Sequence, residues 1–387
     1  MWILRYVEEH LRRSARTRPV LVLTGARQTG KTSTLRRLFP DYGFISLELP
    51  TEAEQAEKEP EAFLARHPAP GIIDEVQYAP ALFRHLKIAV AQNRNRHGQF
   101  LLASSQKFTL MKGVSESLAG RADVVEMETL SLAEILRAQP GIGQETALAV
   151  RGGFPELHAN SEIDPVAFYN SYLATYLERD VRSLSNVTSL RDFERFLRAC
   201  ALRSANLLNK ADLARDVGIA PSTANLWLSA LEASGQVVLL EPWFSSHAKS
   251  LVKRPKLYLA DTGLLCALLN IRSAKALAQS PWAGLVWETF VFAQLRHRER
   301  RAGRFGSLFF WRDRTREVDF VIETNGRLEL FEAKWTELPA QSDTVNLVFM
   351  RDAIGKAHVA EASIVCRAPN SYPVSHGFKA LPIMELN

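Results

Sequence analysis

Val20-Leu21-Val22-Leu23-Thr24-Gly25-Ala26-Arg27-Gln28-Thr29-Gly30-Lys31-Thr32-Ser33 is the stretch that decides how this chain folds. Its first five residues are an aliphatic, β-branched run that reads as a buried parallel strand. The next eight have the spacing Gly-x4-Gly-Lys-Thr, and Ser33-Thr34-Leu35-Arg36-Arg37-Leu38 continues as a helix. Strand, glycine loop and helix in that order form a phosphate cradle. Gly25 and Gly30 let the backbone curl so that the N–H groups of Gly25, Ala26, Arg27, Gln28, Thr29, Gly30, Lys31, Thr32 and Ser33 turn toward phosphate. The start of the helix adds partial positive charge. Lys31 reaches the β- and γ-phosphates, and the Thr32 hydroxyl ligates Mg²⁺. The expected cofactors are therefore ATP and Mg²⁺, with GTP carrying the same chemistry.

About forty residues on, Gly71-Ile72-Ile73-Asp74-Glu75 is an apolar strand ending in two acids. Asp74 stands where the magnesium-water shell is held. Glu75 stands where a water is polarised for attack on the γ-phosphate. A further strand, Gln99-Phe100-Leu101-Leu102-Ala103-Ser104-Ser105, ends in hydroxyls suited to sensing that phosphate. Ser115-Glu116-Ser117-Leu118-Ala119-Gly120-Arg121 then places an arginine after a short helix, where it can serve a neighbouring subunit's site.

Taken in order, Gly-Ala-Arg-Gln-x-Gly-Lys-Thr, Ile-Ile-Asp-Glu-Val-Gln, Ser-Ser, Leu-Ala-Gly-Arg-Ala and Gly152-Gly153-Phe154-Pro155-Glu156 resemble a bacterial and archaeal family of AAA-type (AAA+) P-loop ATPases. Tyr176-Leu177-Glu178-Arg179-Asp180-Val181, Leu251-Val252-Lys253-Arg254-Pro255-Lys256-Leu257-Tyr258 and Asp261-Thr262-Gly263-Leu264-Leu265 extend the resemblance over essentially the whole chain. It implies an α/β AAA+ core with a parallel sheet, a C-terminal domain of poorly defined role, and Arg121 as the finger. The family usually carries Thr-Gly-Ser-Ser at the sensor strand. Here it is Ala103-Ser104-Ser105, so the sensing hydroxyl stays open between Ser104 and Ser105.

Residues 165–203 have aromatic and aliphatic side chains three and four apart, the core stripe of a helical lid. Leu207–Ala220, a short helix ended by Gly218, and a second helix over Pro221–Glu232, followed after Gly235 by the strand Val237–Leu240, read as a winged helix. Ser222, Thr223 and Asn225 lie where such a fold contacts bases, yet no basic residue accompanies them from Pro221 to Pro242. Farther on, Glu288 sits on an amphipathic helix, and Glu317–Ile322 and Leu328–Lys334 form a hairpin about Asn325-Gly326. Alternation puts Glu332 and Lys334 on one face, with Asp319 opposite. Hard carboxylate oxygens of this kind suit Mg²⁺. The arrangement resembles the PD-(D/E)xK nuclease fold, which implies Asp319, Glu332 and Lys334 as a triad with Glu288 as the helical acid. The expected domains are an AAA+ core (1–140), a helical lid and winged-helix region (141–245), and a restriction-endonuclease-like α/β domain (246–387).

Net charge is +6, from 48 basic and 42 acidic residues. Between Arg296 and Arg316 eight arginines stand against Glu299 and Asp313, a stripe able to grip a phosphate backbone. With no apolar run long enough to span a bilayer, no signal peptide, and Cys200, Cys266 and Cys366 far apart, the expected setting is the cytosol, without a membrane. The functional expectation is an ATPase that couples turnover to binding and remodelling DNA by translocation or by fork or four-way junction branch migration. Its partners would be DNA and further copies of itself in a homo-oligomer such as a hexameric ring. The alternatives are a nucleotide switch acting through protein partners and an ATP-controlled, metal-dependent DNA nuclease.

Overall fold

The computed structural model describes residues 1–93, 95–106, 113–114, 116–176, 189–244 and 253–386. Ser115, residues 177–181 of the Tyr176 motif, and Leu251-Val252 lie outside them. The chain divides into two compact units. One comprises Met1–Leu130, Phe154–Ala159 and Ala233–Gly235; the other comprises Ser131–Gly153, Asn160–Glu232 and Gln236–Asn387.

The first unit is built on a five-stranded parallel sheet of β1 (Val20–Thr24), β2 (Gly43–Ser46), β3 (Gly71–Asp74), β4 (Phe100–Ser104) and β5 (Ala122–Glu126), in the order β2-β3-β4-β1-β5. All five residues of β1 are buried, between β4 and β5 at the sides and apolar clusters on both faces. That position accounts for a run that is aliphatic throughout rather than alternating. Because the strands are parallel, the loop after β1, Asp74 at the end of β3 and Ser104 at the end of β4 all emerge on one edge. The crevice at the carboxyl edge of such a sheet is where ligands bind.

An N-terminal helix runs from Val7 to Thr17. Its approach is fixed by Arg5, whose guanidinium donates to Thr29 O at 2.8 Å, Glu128 O at 2.7 Å and Thr129 O at 3.2 Å.

The second unit holds the helical middle region and two sheets. Helices Leu190–Ala201, Lys210–Val217 and Pro221–Ala233 are interleaved with β6 (Asn206–Leu207), β7 (Val237–Leu240) and β8 (Lys256–Leu259). These strands pair in the order β6-β8-β7. Phe193, Phe196 and Trp227 pack edge to face within this group. Strand β8 belongs to this middle sheet, so the boundary expected at 245/246 runs between β7 and its partner. The six-stranded mixed sheet contains β9 (Leu308–Arg312), β10 (Glu317–Thr324), β11 (Arg327–Ala333), β12 (Val359–Cys366), β13 (Tyr372–Pro373) and β14 (Lys379–Pro382). Their order is β13-β14-β12-β11-β10-β9. The expected hairpin turn is present: Asn325 and Gly326 both have positive φ between paired Thr324 and Arg327, the signature of a two-residue turn matching strand twist.

Among the described residues no helix is long and apolar enough to cross a membrane. The three cysteines are unpaired and buried, and burial pushes the Cys200 thiol up to about 12.

Candidate functional site

The loop after β1 closes on its own backbone. Gly25 has φ 146°, and a Cβ there would stand 2.0 Å from Met127 O, so only glycine fits between the loop and the exit of β5. Gly30 adopts a left-handed conformation and leads into the Lys31–Leu38 helix. Lys31 Nζ donates to Gly25 O and Ala26 O, both at 2.8 Å, which holds the ammonium over the mouth of the loop. Thr32 Oγ1 donates to Asp74 Oδ2 at 2.9 Å, so hydroxyl and acid meet although 42 residues apart. Burial first, and then the neighbouring Glu75, raise the Asp74 carboxyl above its usual range. Its Oδ1 is buried without a hydrogen-bond partner. An orphaned buried carboxylate oxygen beside a threonine hydroxyl fits a magnesium ion and its water shell, held from Thr32 and Asp74.

Glu75 stands at positive φ directly after β3, which turns its side chain across the sheet edge. Oε2 accepts from Ser105 Oγ at 3.0 Å and from Gln77 Nε2. Ser104 instead bonds locally, donating to Gln106 O at 3.3 Å and accepting from Gln106 N at 3.1 Å. Of the two serines, Ser105 is the one brought against the acid. Gln77 lies in the Ile-Ile-Asp-Glu-Val-Gln motif, but its role was not legible there. Nor was the Arg5 brace.

Arg121 is on the other side of the sheet. Ala122 pairs with Val20 at the amino end of β1, four residues before Thr24, which separates Arg121 from the loop edge by about 13 Å of strand.

In the second unit the structure brings Asp319 opposite Glu332, since Phe320 pairs with Phe331, and Ala333 N donates to Asp319 Oδ2 at 2.9 Å. The expected Asp319, Glu332 and Lys334 do meet, with Glu288 beside Asp319, and two residues outside the expected set join them. The carboxylates that gather are Glu288, Glu317 and Asp319, and Lys256 lies among them. Lys334 pairs with Glu332 at 3.1 Å and also acts on Asp319. Burial lowers the Lys256 ammonium, but Glu288, Asp319 and Glu317 outweigh it and leave it well above its ordinary range. Burial and then Asp319 push Glu288 up to about 7, against the pull of Lys256 and Tyr258. Burial first, and then the neighbouring Asp319, push the Glu332 carboxyl well above the carboxylate range. Burial opposes ionisation of Asp319 too, yet Lys256 and Lys334 keep it below the usual value.

The arginine stripe is also partly spoken for. Arg298 pairs with Glu329 at 2.7 Å, Arg304 with Glu299 at 2.6 Å and Arg312 with Glu317 at 2.7 Å, while Arg316 lies 3.7 Å from the centre of the Phe349 ring.

A parallel sheet with a glycine loop, a lysine and a hydroxyl-acid pair at one edge defines an ATP-binding P-loop protein of the AAA class. Residues 17–136 match the family described as AAA domain. Residues 144–275 and 283–386 match two further families, each described as a domain of unknown function (DUF8612 and DUF4143). Over 383 residues the chain is 34% identical to the uncharacterized protein Rv2008c of Mycobacterium tuberculosis, covering 97% of this chain and 82% of that one. The same figures hold for the uncharacterized protein Mb2031c of Mycobacterium bovis. The chain belongs to the family of these AAA-domain proteins. Among solved structures, the Walker-type ATPase PABY2304 of Pyrococcus abyssi is similar over 68% of this chain and 94% of that one, at 17% identity and TM-score 0.46. The Holliday junction branch migration motor RuvB of Thermotoga maritima is similar over 60% and 85%, at 17% identity and TM-score 0.29. Those two likenesses are too distant to carry an argument about function. The DNA remodelling and nuclease activity expected from sequence gain no support from any of these relatives.

Proposed function

We propose that this chain hydrolyses ATP at a site completed by Arg121 of a second copy, and that its nucleotide cycle is a switch read by protein partners. Bound ATP with magnesium supplies the electrophilic γ-phosphoryl group. Lys31 and the loop N–H groups bind and neutralise the phosphates, and Thr32 with Asp74 fixes the metal's water shell. Glu75 is the base: Ser105 and Gln77 anchor its Oε2, and Oε1 is the oxygen that takes the proton of an attacking water.

The observation that carries the shared site is the position of Arg121 at the sheet edge opposite its own loop. It cannot stabilise charge on its own γ-phosphate, whereas edge strand β5 of one copy against the loop-bearing side of the next puts it there. Such a head-to-tail contact is heterologous and closes into a ring when the rotation allows.

For the second unit, the helix–strand–helix–helix–strand–strand order from Leu190 to Leu259 supports the winged-helix reading. The Asp319–Glu332 pairing beside one long helix, Ala283–Arg301, supports a restriction-endonuclease-like ancestry. DNA as the object of the work is the weaker reading. Ser222 and Asn225 are exposed without basic company, and three arginines of the stripe are held by acids of their own unit.

The test mixes two inactive proteins. Glu75→Gln and Arg121→Ala should each lose roughly 100-fold or more in ATP turnover. Mixed, they should regain a substantial fraction, because Arg121 of the first completes the site of the second. A mixture as dead as its parts sinks the shared site. Duplex, single-stranded, forked and four-way DNA should each leave wild-type turnover unchanged; strong stimulation by any of them restores the DNA-coupled reading over the protein switch.

A further inference from the structure

Nuclease-like domains use a carboxylate cluster to hold a divalent cation, and the second unit has the carboxylates. Oxygen atoms of Glu288, Glu317 and Asp319 all lie within 4.8 Å of one another, close enough to share one ion. The position between them is taken by the chain itself. Lys256 Nζ is 2.8 Å from Glu288 Oε1, 2.5 Å from Glu317 Oε1 and 3.6 Å from Asp319 Oδ1. An ammonium has three N–H donors, and here three carboxylates surround it.

The second oxygens of Glu317 and Asp319 are engaged too, and Glu288 Oε1 is shared. Glu317 Oε2 accepts from Arg312 at 2.7 Å, Asp319 Oδ2 accepts from Ala333 N at 2.9 Å, and Glu288 Oε1 also accepts from Tyr258 Oη at 2.8 Å. The Lys256 side chain is 1% exposed, and Tyr258, two residues on along the same strand face, is stacked on Phe292 at 4.1 Å. Lys256 therefore has no path to swing into solvent without opening the packing of β8. Magnesium takes oxygens at about 2.0–2.1 Å in near-octahedral array and keeps several of its waters. A cluster with an ammonium at its centre, and a guanidinium, a phenol and a backbone N–H on its oxygens, does not fit that requirement.

We infer that Lys256 is the resident cation of this cluster, and that the seat a divalent metal takes in nuclease-like domains is filled here by the chain's own ammonium group. Two consequences follow. With Lys256 in that seat, the Glu288, Glu317 and Asp319 group does not hold a metal that would activate water. The cluster instead joins three elements: β8 of the middle sheet carries Lys256, β10 of the six-stranded sheet carries Glu317 and Asp319, and the Ala283–Arg301 helix carries Glu288. One side chain thus ties the middle sheet to the C-terminal sheet, and a displacement of β8 is transmitted to β10 through it.

The test is a Mn²⁺ titration of the full chain without nucleotide, read by electron paramagnetic resonance. Wild-type protein should hold no Mn²⁺ that Glu317→Gln or Asp319→Asn removes. Lys256→Met should gain one bound Mn²⁺, and Mn²⁺ should raise the melting temperature of that variant and not of wild type. The double variant Lys256→Met with Glu317→Gln should lose the ion again. A Mn²⁺ on wild type that is lost in Glu317→Gln or Asp319→Asn overturns the inference, as does a folded Lys256→Met protein that gains none. Should Lys256→Met fail to fold, the wild-type titration against Asp319→Asn decides by itself: no ion of this kind supports the resident lysine, and one bound ion refutes it.

Discussion

Asp261 offers the sharpest test of the packing logic in the second unit. It is 5% exposed, and three donors converge on its carboxylate. Oδ1 accepts from Tyr169 Oη at 2.8 Å and from Leu264 N at 2.9 Å, capping the Thr262–Leu268 helix; Oδ2 accepts from Gly153 N at 2.7 Å. The fit is close. A Cβ on Gly152 would stand 2.1 Å from Tyr169 Oη, and a Cβ on Gly263 would stand equally near it. Removing the carboxylate strands the Gly153 and Leu264 N–H groups, while Tyr169 Oη keeps a second acceptor in Arg151 O at 3.0 Å. At about 1.5 kcal/mol or somewhat more for each hydrogen bond to a charged acceptor, Asp261→Ala should cost about 3–4 kcal/mol. Asp261→Asn keeps one oxygen where Oδ1 was and sets an amide N–H against Gly153 N–H, so it should cost about 2 kcal/mol. Urea unfolding of the full chain, followed by circular dichroism at the first transition, reads both values. A domain is stable by about 5–15 kcal/mol, so the alanine protein should sit near its limit and the asparagine protein well inside it. Equal losses in the two variants, or an alanine protein within about 1 kcal/mol of wild type, would refute the reasoning.

Gly25→Ala should abolish ATP binding measured by calorimetry while leaving the melting temperature of the second unit unchanged, because the new Cβ meets Met127 O at 2.0 Å inside the loop. The pH dependence of stability should carry the mark of Glu288. Its pKa is raised from an ordinary carboxylate value to about 7, so the folded state binds the extra proton between those limits and this group's contribution falls as pH rises through them. Glu288→Gln should flatten the decline in melting temperature between pH 5 and pH 8. Asp319, whose pKa is lowered, acts with the opposite sign in a more acid window, so the two contributions separate.

The nucleotide site was largely legible because its chemistry is local. Gly25 to Thr32 are contiguous, and the loop they form needs only a strand before it and a helix after it. Asp74 and Glu75 were legible for a similar reason, since an apolar strand ending in paired acids has few other uses beside such a loop. The choice between Ser104 and Ser105 was not, because it depends on which hydroxyl faces Glu75, and that follows from where β4 ends relative to β3. In the C-terminal hairpin, Asn325-Gly326 fixed the turn and so the pairing of Asp319 with Glu332. Glu317 was within reach of the same reasoning: it lies two residues before Asp319 on an alternating strand and so shares its face. Lys256 was not within reach. It belongs to a different sheet, and no spacing in the sequence relates β8 to β10.

By itself, then, the sequence determined the phosphate-binding loop, the acids that accompany it and the turn that registers the hairpin, because each follows from neighbours along the chain. Tertiary structure alone placed Arg121 at the sheet edge opposite the loop. It also decided that Asp261 gathers Gly153 and Tyr169, and that Lys256 enters the carboxylates of β10. The physical reason is the same in all three cases: charge and hydrogen bonding act over a few ångströms of space, and which groups come within that range depends on how whole strands and helices pack.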